Sequence, residues 1–169
     1  ITNLNGTFNG CSNLRSVIFP TTMNSCTDLG SCFFSCSNLR NVTLPSINAT
    51  NNLQFTFYTC LQLEWVKFTS MPTVVGAINI ASCFSNCSNL QNVYFPATGT
   101  AGSIYSFASS FTFCSQLKTI VLPSNINVSS FASTFSSCTL LTSCILPTSA
   151  AACTSYSSMF SACSSLLKI

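Results

Sequence analysis

Charged side chains are scarce in this sequence, and histidine is absent altogether. Of 169 residues, five are Lys or Arg and two are Asp or Glu, so 4% of the chain is charged, against roughly 25% in an average soluble domain. Five basic residues spread along the chain cannot form the concentrated positive face that binds nucleic acid. Without histidine, neither a Ser-His-Asp nor a Cys-His nucleophilic site can be built.

Catalytic, cofactor and membrane-spanning motifs are missing as well. The two carboxylates, Asp28 and Glu64, lie in different segments and do not predict an acid/base pair. The six glycines form neither a P-loop nor a dinucleotide-binding fingerprint. No uninterrupted apolar run approaches the ~20 residues of a membrane-spanning helix. We therefore expect a protein that is not an enzyme, uses no cofactor, and spends its 47% hydrophobic residues on a core.

A cysteine-centred repeat organises what is present. Two copies read FNGCSNLRSVIFP at 8–20 and FFSCSNLRNVTLP at 33–45. Positions are numbered here from the central cysteine as 0: Phe stands at −3 and Leu at +3 in every unit, apolar residues recur at −7, +6 and +8, and Pro follows at +9 in five of six complete units. The central cysteines are Cys11, Cys36, Cys60, Cys87, Cys114, Cys138 and Cys163.

These spacings predict the structure of one unit. Apolar residues at −7, −3 and 0 match the stripe of an amphipathic helix, and alternation around +6 and +8 is typical of a strand with one buried face. Such a unit buries its apolar face only by stacking on its neighbours. We expect residues 1–169 to form one α/β solenoid of seven ~25-residue units, with a parallel sheet on one face and short helical segments on the other.

The strand portion carries a family resemblance. Leu14-x-x-Val17-x-Phe19 matches the L-x-x-V-x-L core of leucine-rich repeats, and the longer F-x-x-C-S-x-L-x-x-V-x-L-P form resembles the BspA-like (Treponema-type) subfamily. This resemblance implies an extracellular or cell-surface protein involved in adhesion to host or matrix proteins. The chain differs from that family in lacking the Ile-Gly pair before the Phe and in its low charge.

The column of central cysteines is interpreted as architecture. A thiol is small, mostly apolar and a weak donor, which suits an inward corner near backbone carbonyls. Neighbours one strand spacing apart lie slightly beyond the separation that a disulfide prefers. We therefore expect buried free thiols. Cys144 replaces a core Val, and Cys26 and Cys153, at −10, are expected to line the core like Thr50, Ala77, Ile104 and Val128 of other units.

Two further cysteines raise the alternative of a metal site. Cys32 precedes Cys36, and Cys83 precedes Cys87, by four residues, a spacing that could supply part of a metal site on a helix. Histidine is absent and carboxylates are nearly so, so nothing completes the ligand set. We expect no bound metal.

The outward row of the predicted sheet is the candidate binding surface. Strands also favour β-branched and aromatic residues for local reasons, so a binding row and a merely strand-forming row remain alternatives. Trp65 and Tyr94 fall in adjacent units and are the candidate hot-spot pair. The candidate contact residues are Ile18, Trp65, Lys67, Tyr94, Val121 and Ile145.

Two functions follow as hypotheses. One is an extracellular structural or adhesive repeat protein, expected to be a segment of a longer array or to stack end to end into a filament, because neither end shows a polar capping repeat. The other is a ligand- or protein-binding module that uses the sheet face around Trp65 and Tyr94. The expected partner is a protein, either a second copy of the chain or a host or matrix protein. We expect no nucleic-acid partner and no membrane span in this segment.

Overall fold

The computed structural model describes residues 1–73, 76–97, 103–148 and 153–169, which form a parallel β-solenoid. Its short strands lie in two stacks, one with the order β1-β2-β4 continued by the pair β6-β8, the other with the order β3-β5-β7. The strands are β1 (Asn41–Leu44), β2 (Trp65–Phe68), β3 (Gly76–Asn79), β4 (Asn92–Tyr94), β5 (Ser103–Ser106), β6 (Thr119–Val121), β7 (Asn127–Ser130) and β8 (Ser143–Ile145).

The first stack is the parallel sheet predicted from positions +5 to +8, and its existence is confirmed. Val42, Val66 and Val93 pair in register at +6 and are buried, whereas the residues at +7 are exposed in every strand of this stack. Regular strands form in five units. The first and last units contribute only single bridges, such as Ser16 to Asn41, since each has a neighbour on one side only. Seven complete units are therefore not supported.

The second stack was not predicted, because its strands lie where a variable loop was expected. Of the −10 row expected to line the core, Cys26, Thr50 and Val128 are buried as predicted, and the side chain of Ile104 lies outside the described residues. Ala77, at −10, is exposed, and Ile78 is buried instead. Tyr105, at −9, is buried opposite Val128, which stands at −10, and the register shifts after Tyr105. The shift leaves one extra residue, Ser129, in β7, as in a β-bulge.

The predicted helical segments are wrong: within the described residues there is no α-helix. The backbone between −7 and 0 makes consecutive tight turns, in which the N–H at −4 donates to the carbonyl at −7 and the N–H at 0 to that at −3. Positive φ at the third residue is the signature of type II turns. Those residues are Gly6, Ser31, Phe55, Ser82, Ser109, Ser133 and Ser158 at −5, and Gly10, Ser35, Thr59, Asn86, Phe113, Ser137 and Ala162 at −1.

The remaining peptide groups of these turns join successive units. The N–H groups at −7, −5, −3 and −1 donate to carbonyls at −8, −6, −4 and −2 of the next unit, over N···O distances of 2.7–3.3 Å. For example, Ser31 N–H donates to Gln54 and Phe55 N–H to Ala81. The result is four columns of hydrogen-bonded peptide groups. Residues −7 to +3 of all units form one side of the solenoid, called here the turn face.

An Asn/Asp row at −8 completes the turns. Oδ1 of Asp28 accepts from the N–H of Gly30, and Asn52 and Asn79 make the same contact two residues on, which are Asx-turns. Asn52 also donates to Asp28 at 2.9 Å. A Cβ on Gly30 would lie 2.6 Å from Nδ2 of Asn52, so any larger residue there would displace the amide of Asn52 from this polar cluster.

The core between the faces is dominated by the phenyl rings at −3. Successive rings stack nearly parallel, with centroids 5.2–5.5 Å apart and interplanar angles of 6–11°. Leu at +3 and the apolar residues at +6 pack around them. The stacked rings are Phe8, Phe33, Phe57, Phe84, Phe111, Phe135 and Phe160.

Candidate functional site

The outward row of the first sheet holds most of the predicted contact residues. All but Trp65 stand at +7: Ile18 is 96% exposed, and Tyr94, Val121 and Ile145 are each just over half exposed. Lys67 pairs with Tyr94, and Val121 with Ile145, in the strand register. The sheet therefore presents a mainly apolar row with a single ammonium group in it.

Trp65 and Tyr94 are brought together as the sequence predicted. Trp65 stands at +5 and pairs with Asn92, so Tyr94 is its diagonal neighbour on the adjacent strand. The two rings meet edge to face with centroids 6.4 Å apart and an interplanar angle of 70°. This geometry is favourable for aromatic pairs and holds the half-buried indole against the strand.

A groove of about 450 Å³ opens on the other side of Trp65. Its floor is formed by Asn41 and Thr43 of β1, and its walls by Trp65 and by Ile18 and Pro20 of the first unit. This Trp65 groove exists because β1 carries short side chains outward between two units with bulky ones. Asn41, Thr43 and Pro20 were not singled out from the sequence, although this drop in side-chain size along the +5 and +7 rows was a readable signal.

An unpaired acceptor lies in the lining of the groove. Among the described residues, Oδ1 of Asn41 is the buried side-chain oxygen or nitrogen that has no hydrogen-bond partner. Leaving such an atom unpaired costs about 1–3 kcal/mol.

One ion pair lies near the groove. The guanidinium of Arg40 lies 3.4 Å from the carboxylate of Glu64 in the next unit. With Arg40 60% exposed and Glu64 34% exposed, a pair of this kind contributes little to stability. The sheet face therefore presents mainly apolar surface and few charges.

The central cysteines have a different environment from the sheet face. From the second unit onward, each thiol donates to the carbonyl of the Phe at −3 in the preceding unit, with S···O distances of 2.9–3.1 Å. The same carbonyl accepts the N–H of its own unit's cysteine. All twelve cysteines of the chain are free, and Cys11, in the first unit, is exposed.

Burial suppresses the reactivity of these thiols. Loss of hydration, with a smaller contribution from neighbouring thiols, raises the pKa of Cys36 to about 11 and that of Cys138 to about 12. Cys144, which replaces the core Val, is also buried with its pKa raised by desolvation to about 12. Cys26 is buried, whereas Cys153 is half-buried. A thiol that stays protonated is neither a nucleophile nor a metal ligand.

Cys32 and Cys83 belong to a second inward row, at −4. Desolvation raises the pKa of both to about 12. Other units place Thr56, Ser110 and Thr134 at −4, and their hydroxyls donate to the carbonyl at −7 of the preceding unit. Among the residues that the structure describes, no group of three or more His, Cys, Asp and Glu is placed to hold a metal ion.

Comparisons with known proteins bear on the fold and the family. In the described part of the chain, no helix has the length and apolar character needed to cross a bilayer. Comparison with curated proteins and with solved structures finds no match. A family model described as a BspA type leucine rich repeat region matches residues 4–110 and 81–169 in six copies, one fewer than the units counted from the cysteines. The chain therefore belongs to the BspA-type leucine-rich repeat family.

Proposed function

We propose that this chain is a non-enzymatic, extracellular adhesive repeat protein that holds a protein partner in the Trp65 groove. The observation that carries the proposal is the groove itself, which is lined by Trp65, Pro20 and a fully exposed Ile18, with the ring of Tyr94 packed against the indole outside it. Leucine-rich repeats are in general protein-interaction modules, and BspA-type repeats are typical of surface proteins.

The chemistry of the groove favours a protein partner. Interfaces draw most of their binding free energy from a few central aromatic side chains surrounded by contacts that exclude water. Trp65 supplies the aromatic centre and is held by the ring of Tyr94 on its other side, while Ile18, Pro20 and Thr43 supply the surrounding surface.

Adhesion of coated beads tests this function. Beads carrying the chain are allowed to settle on a panel of immobilised extracellular-matrix proteins, and detachment under flow is measured. A Trp65→Ser/Tyr94→Ser double variant is expected to lose attachment, by at least about tenfold in affinity when two hot-spot aromatics are removed. Phe113→Ser removes an exposed aromatic elsewhere and should leave attachment unchanged. Equal attachment by the double variant and the parent would contradict the proposal.

End-to-end assembly is a second candidate, favoured by the peptide columns. Because the N–H groups at −7, −5, −3 and −1 all donate forward, a unit without a following neighbour presents donors, and one without a preceding neighbour presents acceptors. Such faces are complementary and give open-ended stacks. Electron microscopy over a range of concentrations tests this, and particles of one length at every concentration would exclude it.

A further inference from the structure

The turn face carries no charged side chain in any unit. All seven charged residues of the chain lie outside positions −7 to +3, mostly at +4. A solvated face normally mixes both signs of charge. A face without charge offers no ion pair to a charged partner, so it fits neutral partners best. The uncharged segments are 4–14, 29–39, 53–63, 80–90, 107–117, 131–141 and 156–166.

Three aromatic rings cluster on this face. Phe34 and Tyr58, at −2 in successive units, stack with centroids 5.0 Å apart and an interplanar angle of 12°. Phe55 meets Tyr58 edge to face at 5.6 Å and Phe34 at 6.5 Å. All three rings are half-buried and lie outside the core. They are called here the aromatic cluster.

The placement of Phe55 costs stability. Its φ is 58°, in the left-handed region, where a bulky side chain is strained. Every other residue at −5 with this conformation is Gly or Ser. A smaller residue would relieve the backbone strain and expose less apolar surface, so packing of the core does not explain a phenyl ring at this position. Backbone strain that is retained at an exposed position is typical of functional sites such as binding sites.

Half-exposed hydroxyls border the cluster. Ser31 and Ser35 precede Phe55 and Thr59 in the −5 and −1 rows, and peptide hydrogen bonds join Ser31 to Gln54 and Ser35 to Tyr58. Hydroxyl groups both donate and accept hydrogen bonds. The cluster thus combines aromatic surface with neutral donors and acceptors. Positions −7 to +3 around it carry no charged side chain, and the carboxylate of Asp28, at −8, borders the face, where it accepts from the N–H of Gly30.

We propose that the aromatic cluster binds a neutral polysaccharide. A pyranose ring carries C–H groups on its faces and hydroxyls around its rim, so it fits an aromatic surface edged by side-chain hydroxyls. An anionic polysaccharide would need cations, which the turn face lacks. A polymer of repeating sugar units also suits the turn face, because its rows of positions recur in every unit along the solenoid. This site is separate from the Trp65 groove and does not depend on its function.

Affinity electrophoresis tests the proposal. The chain, with net charge +3 and a pI near 8.3, is run toward the cathode in acidic native gels that contain mannan, galactomannan, laminarin or hydroxyethyl cellulose. At least one of these gels is expected to retard the chain relative to a polysaccharide-free gel. Unretarded migration in all of them would overturn the proposal, as would retardation only by an anionic polysaccharide such as heparin.

The variants locate the site and control for folding. Phe55→Ser restores the residue usual at −5, so it is expected to fold at least as well as the parent while the dissociation constant in the retarding gel rises about tenfold. Tyr58→Leu keeps an apolar side chain without a ring and should weaken binding similarly. Trp65→Ser/Tyr94→Ser should migrate like the parent, which separates this site from the groove. Parent-like retardation of both Phe55→Ser and Tyr58→Leu would contradict the assignment.

Discussion

Residues with positive φ determine how this chain turns between its sheets. Single L-residues in the left-handed region are costly except for Gly and, to a lesser extent, Asn and Asp. Here Ser occupies it in five of the seven units at −5 and in two at −1, with Gly at both positions only in the first unit. The column hydrogen bonds from these same N–H groups compensate for that cost.

Substitution of Ser82, which lies at −5 with φ of 54°, distinguishes these turns from a helix. We expect Ser82→Gly to keep or raise the free energy of unfolding and Ser82→Val to lower it by about 1–2 kcal/mol, because only the latter adds a β-branched side chain at positive φ. Urea denaturation of both variants measures this. In a helix Gly would be among the least favourable residues, so marked destabilisation by Gly would contradict the turn geometry.

At the scale of the element, donors on the side chains and on the backbone point in opposite directions. In the turn face, the backbone N–H groups at −7, −5, −3 and −1 donate to the next unit. The thiols at 0 and the hydroxyls at −4 donate to the preceding unit. Each unit is thus tied to its neighbours by two independent sets of hydrogen bonds. Any small side chain with a hydrogen-bond donor can fill positions 0 and −4. This requirement explains why different units carry Cys, Thr or Ser at −4.

Cys87→Ala tests the thiol ladder. The variant removes the donor that lies 3.0 Å from the carbonyl of Phe57 and leaves a small void in a fully buried site. We expect a loss of about 1–2 kcal/mol in the free energy of unfolding. Cys11→Ala, at the exposed end of the column, is the matched control and should change little. Calorimetry on both variants would reveal a contradiction if their losses were equal.

The sequence predicted one sheet but not the turns, for an identifiable reason. At +5 to +8 the alternation of buried and exposed residues has a period of two, which only a strand gives. At −7, −3 and 0, by contrast, side chains point inward both in a helix and in successive type II turns, so Phe8 and Cys11 could not discriminate between them. The backbone donors that decide it bond to another unit, which local periodicity does not report.

The Trp65 groove was half predicted for a similar reason. The pairing of Trp65 and Tyr94 follows from counting positions along the repeat, and the strand register places them as neighbours. The groove depends instead on what is small beside them, at Asn41 and Thr43. The prediction from the sequence favoured large and aromatic side chains, so it did not include the short residues that form the floor of the groove.

At the scale of the whole molecule, contacts run between neighbouring units, as in other solenoids. A defect in the middle of the phenyl stack therefore weakens two interfaces, whereas one at the end weakens one. Phe84 is fully buried between Phe57 and Phe111, while Phe8 is partly exposed and stacks on Phe33 only.

Phe84→Ala is expected to lower the free energy of unfolding by about 3–5 kcal/mol, the range for a buried Phe. Phe8→Ala should cost clearly less, because less surface is buried and one stacking partner is lost instead of two. Chemical denaturation followed by circular dichroism gives both values. Similar costs at the two positions would argue against a stack that is buried along its length.

Alkaline pH should destabilise the fold through its thiols. Burial raises their pKa from 9.0 to about 12 at Cys32, Cys138 and Cys144. Their stabilising contribution is complete below pH 9.0 and is lost between pH 9 and 12, because the unfolded chain then binds fewer protons than the folded one. Each such thiol lowers the free energy of unfolding by up to about 1.4 kcal/mol per pH unit in that window.

Urea midpoints measured under reducing conditions from pH 7 to pH 11 check this prediction. Steps of about one pH unit suffice, because a change of one pKa unit corresponds to about 1.4 kcal/mol. The midpoint is expected to be flat at neutral pH and to fall in the alkaline range. Cys138→Ala removes one buried thiol and should give a shallower fall. A fall of unchanged steepness in that variant would assign the effect to other groups.

The four peptide columns give the solenoid an electrical polarity that its side chains do not reveal. In every unit the peptide between −6 and −5 points its N–H forward and its C=O backward, and each peptide group carries a dipole of about 3.5 D. The dipoles of a column therefore add, with the positive pole toward the C-terminal side, the reverse of an α-helix. Along the turn face, the sign of the backbone potential therefore distinguishes one direction along the axis of the solenoid from the other.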